Sequence, residues 1–275
     1  MDVQDIDIHV DGNDFSYSHS RNDGEINKNF ILHNHNDSFE TLIFLDGNAD
    51  FIVEGSVYSM KKGDIVIAGS NELHRMVVRS EGKYERIVIT TNYKFFYMLP
   101  ELKSIFINRK LGTGNLLCLS PKENELIHEI CGKIEYYIST YPDDELRSQV
   151  IRNLISEIMY LINKSDYIKE NIKSTDQRVK QILIYINDHL TERITLDEIA
   201  DIFFISKYHL CRIFKKHTGM TLTRYINYKR LILAREIHAG GKNLIDSSLD
   251  AGFDSYSTFY KIFKKEMGYS PRCGG

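Results

Sequence analysis

The C-terminal third of the chain contains one segment twice, 49 positions apart. Residues 210–219 align with residues 259–268, because each begins with an apolar anchor, continues with Ile-Phe-Lys-Lys and ends at glycine. A helix that buries an Ile-Phe face and ends at glycine suits the second half of a helix-turn-helix unit. The repeat therefore predicts two such units in a helical domain.

The first copy has the features that a DNA-binding helix needs. Ser206 can cap the helix, and Leu210, Ile213 and Phe214 form its buried stripe. The opposite face then presents Lys207, Tyr208, Cys211, Arg212 and Lys215. Arginine can bond guanine through two hydrogen bonds in the major groove, and lysines at the end of a helix suit phosphate.

The N-terminal part has a different periodicity. Between residues 28 and 92, short apolar runs alternate with turn-forming pieces, which predicts a β-sandwich or small barrel. The runs are 41–45, 51–53, 57–60, 65–68, 76–78 and 86–90. From about Pro121 two helical stripes follow, and a polar, lysine-rich linker is predicted at 164–177. We therefore expect a β domain (1–120), a helical segment with the linker (121–175) and a helical domain (176–275).

The net charge of the chain, −3, is an average over unlike parts. Residues 176–275 contain 16 Lys+Arg and 11 Asp+Glu, a net +5, whereas the remaining residues amount to −8. A basic helical domain can neutralise phosphates, and release of counterions then contributes to affinity. Charge alone is equally compatible with a solvated basic face.

The sequence predicts a cytoplasmic protein that does not enter a membrane. Residues 1–15 are rich in aspartate and lack lysine and arginine, so no signal peptide is indicated. Apolar runs such as 182–186 are far too short to cross a bilayer. The four cysteines form no Cys-x-x-Cys pair, which is typical of buried or incidental thiols in a reducing compartment.

The last hundred residues resemble the AraC/XylS family of bacterial transcription regulators. The matching residues are Leu196-Asp-Glu-Ile-Ala200, Ser206 to Lys216, Gly219, Tyr225, Arg230, Ala234, Gly252-Phe253, Phe259, Phe263-Lys-Lys265, Gly268 and Ser270-Pro271. The resemblance implies two helix-turn-helix units joined by one helix, here 222–239, with their recognition helices in successive major grooves.

The same resemblance implies which side chains contact DNA. The implied base contacts are Tyr208, Cys211, Arg212, Tyr256, Ser257, Tyr260 and Lys261. The implied phosphate contacts are Ser206, Lys207, Lys215, Lys216, Ser255, Lys264 and Lys265. The chain departs from the family at Ser247–Ser248, where a more apolar pair is usual, and at its end, 273–275, which lacks the usual aromatic residue and arginine. A serine in a core must find a hydrogen-bond partner.

The N-terminal domain resembles the cupin family. His33-x-His35-x4-Glu40-x6-Gly47 matches the first cupin motif, and Gly63-x5-Gly69-x4-His74 matches the second without its usual proline. Alternation along a strand places His33 and His35 on one face. Together, His33, His35, Glu40 and His74 could bind a divalent metal such as manganese, iron, nickel or zinc, or they could line a metal-free pocket for a sugar-like ligand.

Two classes of function follow. The combined resemblance implies a regulator, commonly an activator, that binds double-stranded DNA and RNA polymerase and responds to a small, sugar-like inducer. The alternative is a metal-dependent cupin isomerase or dioxygenase with an accessory helical domain. Within the family, helices such as those in 121–163 often form a homodimer contact, although they could equally pack within the chain.

Overall fold

The computed structural model describes residues 6–24, 33, 38–79, 81–167, 172–173, 177–267 and 269–271. The chain divides into two compact units, Met1–Lys173 and Ser174–Gly275. The first contains β structure followed by helices and the second is helical, as the sequence predicts. Among the described residues, none of the helices combines the length and apolarity needed to cross a membrane.

The first unit begins with eight described strands. They are β1 (Ile6–Asp11), β2 (Phe15–Gly24), β3 (Ser38–Asp46), β4 (Ala49–Val53), β5 (Ser56–Ser59), β6 (Ile65–Ala68), β7 (His74–Val78) and β8 (Gly82–Asn92). The 3-10 helices Tyr93–Phe96 and Pro100–Lys103 follow, and then α1 (Ser104–Ile107), β9 (Leu116–Cys118), α2 (Pro121–Thr140) and α3 (Glu145–Lys164). Strands β10 (Asp166–Tyr167) and β11 (Ile172–Lys173) complete the unit.

Within the described residues these strands form two antiparallel sheets. The larger has the order β1-β2-β8-β3-β6-β9-β10 and the smaller β11-β5-β4-β7. Strand β8 lies between β2 and β3, with Thr90 opposite both Ser16 and Glu40. Apolar side chains between the sheets form one core, which includes Leu42 and Phe51.

Helices α2 and α3 pack against the other face of the larger sheet. Tyr17 and Ile89 belong to the same buried cluster as Ile130 and Ile155. Ser120 and Asp144 cap the two helices by accepting hydrogen bonds from amides three residues later. The apolar stripes of the helices are therefore buried within the chain.

Two described parts of the segment predicted as a linker are short strands. Residues 166–167 pair with β9, and residues 172–173 pair with β5. The prediction missed these strands because two-residue pairings rest on backbone hydrogen bonds and leave almost no periodic signal. Strands β1 and β2 were also missed.

The second unit consists of six described helices. They are α4 (Gln177–Asp188), α5 (Leu196–Ile202), α6 (Lys207–Thr218), α7 (Leu222–Ala239), α8 (Leu244–Asp250) and α9 (Tyr256–Met267). The predicted ends of α6 are confirmed, since Ser206 caps the helix and Gly219 ends it in the left-handed conformation (φ 83°). Thr195 and Glu198 form a capping box before α5.

A buried polar cluster connects α2 to the larger sheet. The two ring nitrogens of His19 lie 2.8 Å from Glu135 Oε1 and 3.0 Å from Glu85 Oε1. The Tyr17 hydroxyl donates to Glu135 (2.7 Å), and Arg21 and Lys83 contact Glu85. Burial alone would lower the pKa of His19, but the carboxylates of Glu135 and Glu85 raise it above its usual 6.5.

We expect the substitution His19→Gln to weaken the N-terminal unit most at low pH. Because folding raises the pKa of His19, its charged form stabilises the fold fully below about pH 6.5, and this stabilisation is lost as the pH rises through the folded value. The loss at low pH should be about 1–3 kcal/mol. Calorimetric unfolding of full-length wild type and variant between about pH 5.5 and 9 measures it.

The matched control is His9→Gln, since His9 is exposed and its ring lies 2.9 Å from the carboxylate of the exposed Asp11. This control should change the unfolding temperature little at any pH. If His19→Gln destabilised the unit equally at every pH, His19 would act by packing rather than by its charge.

Candidate DNA interface and ligand cavity

Helix α6 presents most of its predicted DNA contacts to solvent. Tyr208 is 78 % exposed, and Cys211 and Arg212 are also exposed. These side chains share one face because Leu210, Ile213 and Phe214 turn the opposite face into the core. Arg212 lies 3.2 Å from the ring of His209, one turn earlier on the helix. Its guanidinium remains on the outer surface.

The predicted phosphate contacts of the first unit are all exposed. Ser206 already accepts a hydrogen bond from the His209 amide as the helix cap (3.2 Å). Lys207 forms an exposed ion pair with Asp197 (2.9 Å). Lys215 and Lys216 lie in the last turn of α6. Their charges offset the negative end of the helix dipole and face solvent.

The second unit presents its predicted contacts less openly. Tyr256 and Tyr260 are half-buried, and the Tyr256 ring lies 5.7 Å from that of the core residue Phe259. Ser257 and Lys261 are exposed. The remaining predicted phosphate contacts are the half-buried Ser255, whose hydroxyl accepts from the Thr258 amide, and the exposed Lys264 and Lys265. The two units therefore differ in how much of the contact face is available.

Ser247 and Ser248 are fully buried in α8. Each hydroxyl donates to a carbonyl of its own helix: Ser247 to Asn243 (2.7 Å) and Ser248 to Ile245 (2.6 Å). The expected need for a hydrogen-bond partner is thus met by carbonyls three or four residues earlier in the chain. Gly268 and residues 273–275 lie outside the described residues.

The N-terminal unit contains a cavity of about 270 Å³ between its two sheets. Its lining residues come from strands β2, β3, β4, β7 and β8 and from His33. They are Ser16, Ser18, His33, Glu40, Leu42, Phe51, His74, Arg75, Met76, Arg86, Val88 and Thr90. The cavity thus contains three of the four predicted ligand residues. The fourth, His35, lies outside the described residues.

His33, Glu40 and His74 come together in this cavity. Their potential ligand atoms lie within 4.8 Å of one another, and Nε2 of His74 is 3.5 Å from Glu40 Oε2. The backbones of His33 and His74 exchange two hydrogen bonds (3.1 and 2.9 Å), which fixes their spacing. Burial alone would lower the pKa of His74, but Glu40 raises it.

This set of donors fits a divalent metal ion. Nδ1 of His74 lies 2.8 Å from the backbone carbonyl of Glu72, to which its N–H donates. Such a bond to a ring nitrogen leaves the other nitrogen, Nε2, to face a metal. Two imidazoles and a carboxylate suit zinc, iron or manganese.

Sequence reasoning missed the other polar residues of the cavity. Ser16 and Ser18 alternate along β2 with Phe15 and Tyr17, which face the helices. This period-two pattern was a signal that could have identified the strand. Arg75 and Arg86 gave no such signal, since a lone arginine in a strand is common on surfaces. Burial and the like charge of Arg79 lower the pKa of Arg75.

Comparison with known proteins supports both halves of this description. Residues 199–273 match a family described as a helix-turn-helix domain, and residues 25–90 match the cupin domain family. The HTH-type transcriptional activator RhaS of Enterobacter sp. (strain 638) is 23 % identical over 240 residues, which is 86 % of this chain and 85 % of the relative.

Two solved structures are similar over most of the chain. ToxT from Vibrio cholerae O395 is 18 % identical with a TM-score of 0.36, covering 94 % of this chain and 96 % of its own. The AraC-like transcriptional activator CuxR is 14 % identical with a TM-score of 0.37, covering 88 % of this chain and 83 % of its own. The domain matches and the activator relatives favour a regulator over the cupin enzyme considered as the alternative. Together, the helix-turn-helix match, the cupin match and the activator relatives support an AraC-family transcription regulator with an N-terminal cupin domain.

Proposed function

We propose that the protein is a cytoplasmic activator that binds DNA through α6 and α9 and is controlled by a small sugar-like ligand in the cupin cavity. The exposed face of α6, with Arg212 beside Tyr208 and the lysine pair Lys215–Lys216 at its end, best supports DNA binding. A helix with this face can enter the major groove and bind the flanking phosphates.

The two recognition helices contribute unequally in this proposal. Helix α6 provides the main base contacts, because Tyr208, Cys211 and Arg212 are exposed. Helix α9 adds Ser257 and Lys261, whereas Tyr256 packs against the protein's own core and Tyr260 is half-buried. Side chains that already pack against a core are less available to a base edge.

We expect the substitution Arg212→Ala to reduce sequence preference more than overall affinity. On a duplex that the full-length wild type selects from a random pool, the substitution should cost about 1–3 kcal/mol of binding free energy. On a scrambled duplex, the loss of binding free energy should be much smaller. Fluorescence anisotropy with both duplexes at several salt concentrations measures the two effects.

Lys215→Ala is the matched control from the same helix. It should weaken binding to both duplexes alike and lower the salt slope by about one, as a phosphate contact does. An equal loss on both duplexes for Arg212→Ala would make Arg212 a phosphate contact too. If the wild type bound no duplex at low salt, the proposal as a whole would be wrong.

A metal ion in the cupin cavity is a second candidate, favoured by the arrangement of His33, Glu40 and His74. These three residues would hold the ion. Bound there, the ion would supply a positive centre that polarises a ligand oxygen.

Zinc or manganese added to the metal-free full-length protein should raise its unfolding temperature, because an ion that binds only the folded state stabilises it. The shift should vanish in Glu40→Gln, which loses a charged ligand, and persist in the control Glu81→Gln at an exposed site. Equal shifts in wild type and Glu40→Gln would exclude this site. Differential scanning fluorimetry, with elemental analysis of the loaded protein, is the measurement.

We propose that RNA polymerase is the partner in activation.

We also propose that a homodimer forms through the turn between α2 and α3. The inward faces of both helices are buried in the N-terminal unit. Around the turn, Tyr136, Tyr141 and Leu146 are exposed, the last by 75 %. Aromatic residues at the centre of an interface commonly provide much of the binding energy. Two copies on DNA would also double the contacts.

Tyr136→Ser combined with Leu146→Ser should raise the dimer dissociation constant at least about tenfold, because each removes apolar area from the interface. Sedimentation velocity of the full-length protein over a concentration series measures this. Tyr97→Ser, at a 74 % exposed position elsewhere in the unit, is the control. A monomeric wild type, or a dimer that the double variant leaves unchanged, would refute this interface.

A further inference from the structure

The turn of the first helix-turn-helix unit has one aromatic side chain that points outward. Phe204, between α5 and α6, is 95 % exposed. The residues on either side of it are half-buried, and the ring of Phe203 lies 6.1 Å from that of Tyr185. An aromatic ring left in water contributes none of the free energy that its burial would provide. Packing within the unit therefore gives no reason for a phenylalanine at position 204.

The backbone at Phe204 gives no reason either, as the second unit shows. Phe204 has a left-handed φ of 52°, and its amide donates to the carbonyl of Asp201 (3.2 Å). In the second unit, Gly252 has a φ of 91°, and its amide donates to the carbonyl of Leu249 (2.9 Å). The two turns thus share one conformation. Glycine adopts this conformation without steric cost, whereas a residue with a Cβ atom is strained in it.

The end of α5 extends the exposed surface around Phe204. Ile202 is 45 % exposed, and Glu198 and Asp201 are exposed as well. Residues three and four positions apart share one face of a helix, so these three side chains lie together. We call Glu198, Asp201, Ile202 and Phe204 the α5 turn surface. It combines two apolar side chains with two carboxylates.

The charge of this surface limits what can cover it. The carboxylates of Glu198 and Asp201 would repel the phosphates of DNA, so the surface does not suit a duplex. They would also repel the N-terminal unit of a second copy, because residues 1–175 contain 19 Lys+Arg and 27 Asp+Glu, a net −8. A complementary partner has lysine or arginine side chains around an apolar pocket. A protein that binds the same DNA beside this one has such basic side chains, because it too must neutralise phosphates.

We propose that the α5 turn surface is the docking site for RNA polymerase, with Phe204 in an apolar pocket of the polymerase and Glu198 and Asp201 against basic side chains around it. This inference rests on the proposed function, in which RNA polymerase is the partner in activation. An aromatic side chain in a central pocket commonly provides much of the energy of an interface. Opposite charges around the pocket orient the two partners.

The substitution Phe204→Gly separates this contact from the fold and from DNA binding. It gives the first turn the residue that the second turn has at the same place, Gly252. The unfolding temperature of the full-length protein should therefore not fall, because the strain at this position is relieved. Affinity for a duplex selected by the wild type should stay within about twofold, since the surface lies outside the DNA contacts in this proposal.

Recruitment of polymerase is the decisive measurement. The probe is a DNA fragment that carries the selected site beside a weak promoter, in a series of spacings over one helical turn, with RNA polymerase holoenzyme from the bacterium that encodes this protein. At the best spacing, wild-type protein should tighten polymerase binding at least about tenfold in a gel-shift titration. Phe204→Gly should lose most of this gain, and Ile202→Ser part of it. The control Ile184→Ser, at a 52 % exposed position on α4, should keep the gain.

The outcomes separate this inference from the proposed function. If Phe204→Gly recruits polymerase as well as the wild type does, the docking site is refuted and the proposed partner stands. If Phe204→Gly weakens DNA binding as much as it weakens recruitment, Phe204 is a DNA contact and the docking site is again refuted. If the wild type binds its duplex but leaves polymerase affinity unchanged at every spacing, the proposed partner itself is wrong.

Discussion

The alternation of side chains along β8 is the constraint on which the N-terminal unit depends. Successive residues of a strand face opposite sides of the sheet. Ile87 and Ile89 therefore enter the core shared with α2 and α3, whereas Arg86, Val88 and Thr90 line the cavity. One strand thus provides both a platform for the helices and one wall of the cavity. Because β8 pairs with β2 and β3 along most of its length, the neighbouring strands repeat the same division.

The DNA-binding unit has a different requirement from the N-terminal unit. It must hold exposed polar side chains in a fixed direction. Its short helices would be marginal alone, because helix nucleation is costly. Ser206 caps α6 and Thr221 caps α7. The buried rings of Phe214 and Tyr225 lie 5.5 Å apart and hold α6 against α7. The outer face of α6 takes no part in this packing, so its side chains are available for contact with DNA.

Much of this structure could be predicted from the sequence wherever local chemistry decides the conformation. The ends of α6 and the bounds of α7 follow from caps and glycines, which act within a few residues. His33, Glu40 and His74 were found because their spacing matches a known motif. Ser16, Arg75 and Arg86 were not, because their meeting in one cavity depends on pairings between strands distant in sequence. Such non-local pairing leaves no signal in a short window.

The division of β8 also determines which substitutions can change the cavity during evolution. Substitutions at 86, 88 or 90 alter the cavity, while the side chains that support the helices, at 87 and 89, remain as they are. Insertion or deletion of a single residue within β8 would move every side chain beyond it to the other face and damage both surfaces together. The lining of the cavity can therefore change through point substitutions on one face of a strand of constant length, while the residues that support the fold stay the same.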